Sequence, residues 1–132
     1  MVPQSRTHAA EPRVLVIEDE VLIRIAVAEE LRAAGLHVIE TVNADEAWDY
    51  FKAGGQVDLI FSDVAMPGSM NGLEFAKRIR DKFPAIPIVL TSGNAHYATE
   101  KFGRFLPKPY VFEDAVKVIR EALNLDQFNN IP

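Results

Sequence analysis

The chain contains no cysteine. Disulfides and thiolate metal sites are therefore excluded. Long hydrophobic runs are missing too: none approaches the roughly 20 apolar residues of a membrane span, and the first residues, MVPQSRTHAAEP, lack the apolar core of a signal peptide. A reducing cytoplasm is the expected setting. Basic excess is also absent. The 14 Lys and Arg are outnumbered by 19 Asp and Glu, for a net charge of −5, and they are scattered instead of forming a stripe. Binding to nucleic acid or to an anionic membrane is not expected. The three histidines, His8, His37 and His96, match no metal spacing. What remains is 132 residues, 48% hydrophobic and 25% charged, enough for one domain with a buried core.

Five short apolar runs punctuate the chain: RVLVI (13–17), HVIE (37–40), VDLIFS (57–62), IPIVLT (86–91) and RFL (104–106). Each is too short for a helix and rich in Val, Ile or Phe, which favours strands. Helical stripes separate them. Ile23, Val27, Leu31 and Ala34 share one face, with Gly35 placed to end it. Ala44, Ala47, Trp48 and Phe51 form a second stripe, opened by Asn43 with Glu46 three residues on; Leu73, Ala76, Ile79 and Phe83 form a third, opened by Asn71 with Glu74. Phe112, Ala115, Val116, Ile119 and Leu123 make the last, whereas Asn94 to Gly103 is only weakly periodic. Alternating strands and helices imply an α/β fold, a doubly wound parallel sheet with helices on both faces. Runs 1, 3 and 4 are continuously apolar and belong in the centre. Run 5 meets Pro107, which cannot donate to a ladder and marks an edge or a strand end. Residues 1–11 and 125–132 read as tails around a domain spanning 12–124.

In such a sheet functional groups gather at the carboxyl ends of the strands. Strand 1 ends in Glu18, Asp19 and Glu20, strand 3 in Asp63, strand 4 in Thr91 and Ser92, and strand 5 in Lys108 between two prolines. Carboxylates brought together repel, which raises a pKa or calls for a cation. An all-oxygen cluster suits a hard divalent ion, Mg2+ above all. Lys108 and Thr91 supply an ammonium and a hydroxyl able to hold phosphoryl oxygens. A carboxylate between metal and lysine can attack phosphorus in line, which makes Asp63 the candidate nucleophile. Each residue alone has an ordinary reading as a turn, cap or surface group; their joint placement at four strand ends is what argues for a site.

VLVIEDE, FSDVAMPG, VLTSG and FLPKPY, in this order, make the chain resemble the receiver domain of two-component response regulators over about residues 12–124. The resemblance implies a flavodoxin-like strand order 2-1-3-4-5. It implies Asp63 as phosphoacceptor, Glu18 and Asp19 as the acidic pair at a Mg2+ or Mn2+ site, and the Ala65 backbone carbonyl completing the protein's ligands. Thr91 and Lys108 would bind the phosphoryl group, and the Lys108-Pro109 bond would be cis. Phe105 would turn inward as Thr91 moves, coupling the site to a partner surface made by the fourth helical segment, strand 5 and the last helix. A histidine kinase or histidine phosphotransfer protein is the implied phosphodonor, docking on the first helix and the strand-to-helix loops.

Several features depart from the family pattern. Glu18 stands where Asp is common, and MPGSMNG is one residue longer than the usual Met-Pro-Gly-x-Gly arrangement. Only 16 residues separate Thr91 from Lys108, so the fourth helix is expected to be short or irregular. Ala65 and Gly93, two past the acceptor and two past the threonine, carry no side chain able to orient a water, so the decay of an acyl phosphate is expected to depend on access alone. A phosphatase of the haloacid-dehalogenase type would need a second acid at position 65, and a flavodoxin-like electron carrier would not place EDE in its phosphate loop. Enzymatic turnover is therefore not expected. With the chain stopping soon after its last helix, the expectation is a stand-alone receiver, monomeric or dimerising on phosphorylation. It would act by protein contact or as a phosphate sink, the alternative being a receiver cut from a hybrid kinase.

Overall fold

Strand β1 (Arg13–Ile17) sends Val14 and Val16 to one face of the sheet and Leu15 and Ile17 to the other, and all four are at most 1% exposed. This alternation on a strand with no polar face requires helices on both sides. The structure, a computed structural model, describes residues 11–94 and 103–125. After β1 come α1 (Val21–Ala33), β2 (His37–Thr41), α2 (Ala44–Lys52), β3 (Leu59–Asp63), α3 (Gly72–Lys82), β4 (Ile88–Ser92), β5 (Arg104–Pro107) and α4 (Phe112–Ala122). All strand pairs are parallel, in the order β2-β1-β3-β4-β5. The expected fold class and order are those observed.

Helices α2 and α3 cover the face of Leu15 and Ile17, contributing Ala44, Ala47, Phe51, Phe75, Ala76 and Ile79. Helices α1 and α4 cover the other face through Val27, Ala28, Leu31, Ala115 and Ile119. A large side chain buried in either layer contributes about 1.5–3 kcal/mol relative to exposure. The helix starts follow local chemistry. Asn71 and Glu74 form the full reciprocal capping box at 3.0 and 2.8 Å. Asn43 accepts from the Glu46 N–H at 2.8 Å, but Glu46 reaches one residue further back, to the Val42 N–H at 3.1 Å.

Two expectations shift. The runs at 57–62 and 86–91 begin before their strands and stop one residue short of them: Asp58 folds its carboxylate onto the Arg13 N–H at 2.7 Å, and the strands extend to Asp63 and Ser92. Phe83, assigned to the core stripe of α3, is instead its C-terminal cap and 37% exposed, its ring stacked on Phe51 at 5.1 Å between centroids. The helix has ended by then, so the 3.6-residue period no longer directs the side chain inward. The expected fourth helix falls on residues 95–102, which lie outside the described residues, as do residues 1–10 and 126–132; His8 and His96 fall there too.

Candidate functional site

Because the strands are parallel, their carboxyl ends form one rim, and the register places Asp63 of β3 opposite Thr91 of β4. Ser92 pairs with Pro107, and the Lys108 N–H donates to the Ser92 carbonyl at 2.9 Å, which carries the pairing one residue past β5. This delivers Lys108 to the centre of the rim. Its Nζ lies 2.8 Å from Asp63 Oδ2 and 3.1 Å from Glu18 Oε1. All three side chains are largely withdrawn from solvent, with 18%, 7% and 4% of their area exposed.

The remaining carboxylate oxygens are held by the main chain. Ala65 N–H donates to Asp63 Oδ1 at 3.2 Å, and Glu20 N–H to Glu18 Oε2 at 3.1 Å. Burial raises the Glu18 pKa above the ordinary carboxylate value, against the lowering effect of the Glu20 N–H, and the charge of Asp63 adds to the rise. For Lys108 burial disfavours the ammonium, but the bond to Asp63 and the charges of Asp63 and Glu18 outweigh it and hold the pKa above its usual value. Lys108 therefore stays cationic at neutral pH. Asp19 is exposed on the solvent side, and one oxygen from each of Glu18, Asp19 and Asp63 lies within 4.8 Å of the others.

That donor set fits a Mg2+ ion. It is all oxygen, and it is closed on the protein side and open at Asp19, leaving room for the waters and phosphoryl oxygens that this ion retains. The Thr91 hydroxyl at the same rim is buried, and its Oγ1 makes no hydrogen bond among the described residues, which leaves it able to donate to a phosphoryl oxygen. Phe105 pairs with Leu90 in the ladder and is half-buried, packed on the α2–α3 side of the core. The Lys108-Pro109 peptide is cis. Ala65 is exposed at the first turn of the loop after Asp63. The expected site residues on the four strand ends thus converge, and Phe105 lies one strand away.

Two further residues border the site. Arg24 donates to the Glu18 carbonyl at 3.0 Å and pairs with Glu40 at 3.4 Å, and Glu40 is also held by Arg32 at 3.1 Å. No motif marks a guanidinium that acts on a backbone carbonyl, so spacing could not find it. Tyr110 sits edge-on to Phe61 and Phe112, its hydroxyl buried without a partner among the described residues. Burial pushes its pKa up to about 12, with the charge of Glu18 adding to the rise. With Ile23, Gly93, Lys108, Pro109 and Phe112 it lines a cleft of about 500 Å3 beside the ammonium.

A doubly wound sheet with an acidic cluster, a threonine and a lysine at its carboxyl rim defines a phosphoacceptor signalling fold. The chain belongs to the response regulator receiver domain family, whose model, "Response regulator receiver domain", matches residues 14–120. It is 34% identical to the sensor kinase CckA of Brucella abortus over 118 residues, 83% of this chain and 12% of that kinase. It is 36% identical to the DNA-binding transcriptional regulator NtrC of Azospirillum brasilense over 117 residues, 84% of this chain and 24% of that regulator. The chain thus spans a quarter or less of these two curated relatives. Among solved structures it is similar to the response regulator TrrA of Thermotoga maritima in complex with Mg2+-BeF, at a TM-score of 0.77 and 30% identity, over 84% of this chain and 98% of that one. Among the described residues no helix is long and apolar enough to cross a membrane.

Proposed function

We propose that the protein accepts a phosphoryl group on Asp63 from a phosphohistidine donor and uses the modified site to change a protein-binding face. The observation that carries this reading is the lysine bridge: Asp63, 5% exposed, is held by Lys108 at one oxygen and by the Ala65 N–H at the other, beside Glu18 and Asp19. Bound at Glu18, Asp19, Asp63 and the Ala65 carbonyl, Mg2+ would neutralise charge on the phosphoryl oxygens. The chain's own groups do the rest. An Asp63 oxygen attacks phosphorus, the new O–P bond forms as the donor's N–P bond breaks, and the donor nitrogen leaves with its electron pair. Lys108 releases the carboxylate oxygen and follows the negative charge onto the phosphoryl group. The Thr91 hydroxyl, without a partner among the described residues, donates to a phosphoryl oxygen after the reaction.

Movement of Thr91 would free space for Phe105, one position along the β4–β5 ladder, and so reach the surface of β5 and α4. That surface is the face we assign to a downstream protein. The donor, a histidine kinase or histidine phosphotransfer protein, fits the start of α1, where Val21, Leu22 and Ile25 are 53%, 82% and 43% exposed on the rim side of the sheet. Turnover as a phosphatase is disfavoured by Ala65, which offers no acid two residues past the nucleophile. We assign the role to phosphorelay signalling or phosphate buffering in the cytoplasm.

Incubation with acetyl phosphate, with and without Mg2+, followed by intact mass, tests the reading. The expected result is one added phosphoryl group that requires both Mg2+ and Asp63 and is absent from Asp63→Asn. Steady phosphate release from many small esters would point to the phosphatase instead.

A further inference from the structure

The seven residues Ala65 to Asn71 form a loop closed at its base by the Gly72 N–H, which donates to the Val64 carbonyl at 2.9 Å. Val64 is itself tied to β4 through its N–H to the Thr91 carbonyl at 3.0 Å. Near the far end Met70 is buried in the core, and Asn71 caps α3. The middle of the loop is exposed, and among the described residues its lateral polar tether is a single side chain from another element. Asp45, in the first turn of α2, accepts hydrogen bonds from both the N–H (2.9 Å) and the hydroxyl of Ser69.

The sequence is fitted to this contact. Gly68 adopts φ 118°, and a Cβ there would stand 2.6 Å from Asp45 Oδ2, so this glycine lets the chain lie against the carboxylate. The Ser69 hydroxyl, then its N–H, hold the Asp45 carboxyl below its ordinary value, and the charge of Arg78 acts the same way. Asp45 is therefore an ionised acceptor at neutral pH, and charge-assisted bonds are the stronger kind. Arg78 in turn lies over the Trp48 ring at 5.6 Å, which braces α3 against α2 on the same side of the loop. The extra residue in MPGSMNG thus lengthens a loop that a neighbouring helix ties down.

We propose that Asp45 is a positioning residue for the divalent-cation site: by clasping Ser69 it holds the 65–71 loop closed and fixes Ala65 beside Asp63. This rests on the Mg2+ site proposed above. The physical reason is entropic. A loop with one free end-to-end arc samples many placements of its first residue, and a tether at its middle removes most of them before the ion arrives. Asp45 touches neither the ion nor the phosphoryl group and acts only through the loop.

The test measures Mg2+ affinity of the full chain by titration calorimetry and, separately, amide hydrogen exchange of residues 65–70 in Mg2+-free protein. Asp45→Ala is expected to weaken Mg2+ binding by about 10-fold, the lower range for an outer-shell partner, and to speed exchange across the loop. Asp45→Asn keeps an acceptor but loses the charge. Near-wild-type affinity in that variant supports the clasp, whereas equal weakening in the Asn and Ala variants would assign the effect to charge alone and overturn it. Asp58→Ala, at the opposite end of the sheet, should leave Mg2+ affinity unchanged. If Asp19→Asn weakens binding but Asp45→Ala neither weakens it nor speeds exchange, the clasp is wrong and the metal site stands. If wild type and Asp19→Asn bind Mg2+ alike, the metal site and the clasp both fail.

Discussion

Asp63 and Thr91 face each other across the β3–β4 ladder, one carboxylate fully partnered and one buried hydroxyl with no partner among the described residues. An unsatisfied buried hydroxyl costs about 1–3 kcal/mol relative to an apolar group of the same shape. Thr91→Val should therefore leave the unphosphorylated protein as stable as wild type or raise its melting temperature. The same variant should still take up phosphate at Asp63 but lose the accompanying change in structure. Thermal unfolding and two-dimensional NMR of the phosphorylated form check both halves, and a clear drop in melting temperature would show that Thr91 has a partner in the resting state.

Lys108 neutralises two carboxylates at once, so its removal has effects of opposite sign. Without Mg2+, Lys108→Met keeps the apolar stem but leaves Glu18 and Asp63 unpaired, and a loss of about 2 kcal/mol is expected for such a largely buried cluster. Mg2+ binding should become tighter, because a positive charge 2.8 Å from Asp63 Oδ2 no longer opposes the ion. Melting curves with and without Mg2+ measure the two together. Weaker Mg2+ binding in the variant would contradict the geometry.

Much of this architecture was legible in the sequence. Val14 to Ile17 and Leu59 to Ser62 are apolar without alternation, which only a sheet covered on both faces explains, and their ends gave the rim on which Glu18, Asp63, Thr91 and Lys108 meet. What escaped involved contacts that no period encodes. Arg24 acts on a carbonyl, Asp45 on a backbone N–H and a hydroxyl 24 residues away, and Phe83 leaves the core stripe because α3 ends at Lys82. Strand-end placement also proposed Lys108 as a phosphoryl ligand but did not show the bridge in which its ammonium joins two carboxylates.

Tyr110 supplies a pH prediction. Its pKa is raised to about 12 by burial, against about 10 in an unfolded chain, so the folded state favours the neutral phenol. The stability this contributes is complete below pH 10 and is lost as pH climbs from 10 to 12, because only the unfolded chain releases the proton there. Denaturant unfolding over this range should show a steeper alkaline loss in wild type than in Tyr110→Phe. A hydroxyl without a partner among the described residues should also make that variant well tolerated at pH 7. Parallel stability profiles for the two proteins would refute the assignment.

Ala65 bears on the lifetime of the acyl phosphate. It is exposed beside Asp63 and carries no group that could orient an attacking water. Ala65→Asn places an amide there, with a donor and an acceptor, and should speed spontaneous dephosphorylation severalfold while leaving uptake from acetyl phosphate in place. The decay of the phosphorylated mass after donor removal is the measurement. An unchanged decay would mean that side-chain chemistry at position 65 does not limit hydrolysis.

Gly72, the first residue of α3, sets helix propensity against packing. Propensity alone favours Ala over Gly in a helix by up to about 1 kcal/mol. Here, however, a Cβ would lie 2.2 Å from the Asp63 carbonyl oxygen and 2.9 Å from Val64 Cα, and neither is the flexible end of a side chain. The strand end must move to make room, so packing wins: Gly72→Ala should lose about 2 kcal/mol, within the range for overpacked sites. Because the displaced atoms belong to the phosphoacceptor's own backbone, the rate of phosphoryl uptake should fall as well. Stability and uptake measured on the same preparation separate this from a general loss of folding, since a variant still folded at 20 °C should remain slow. A variant as stable as wild type would show that the α3 start can shift without disturbing Asp63.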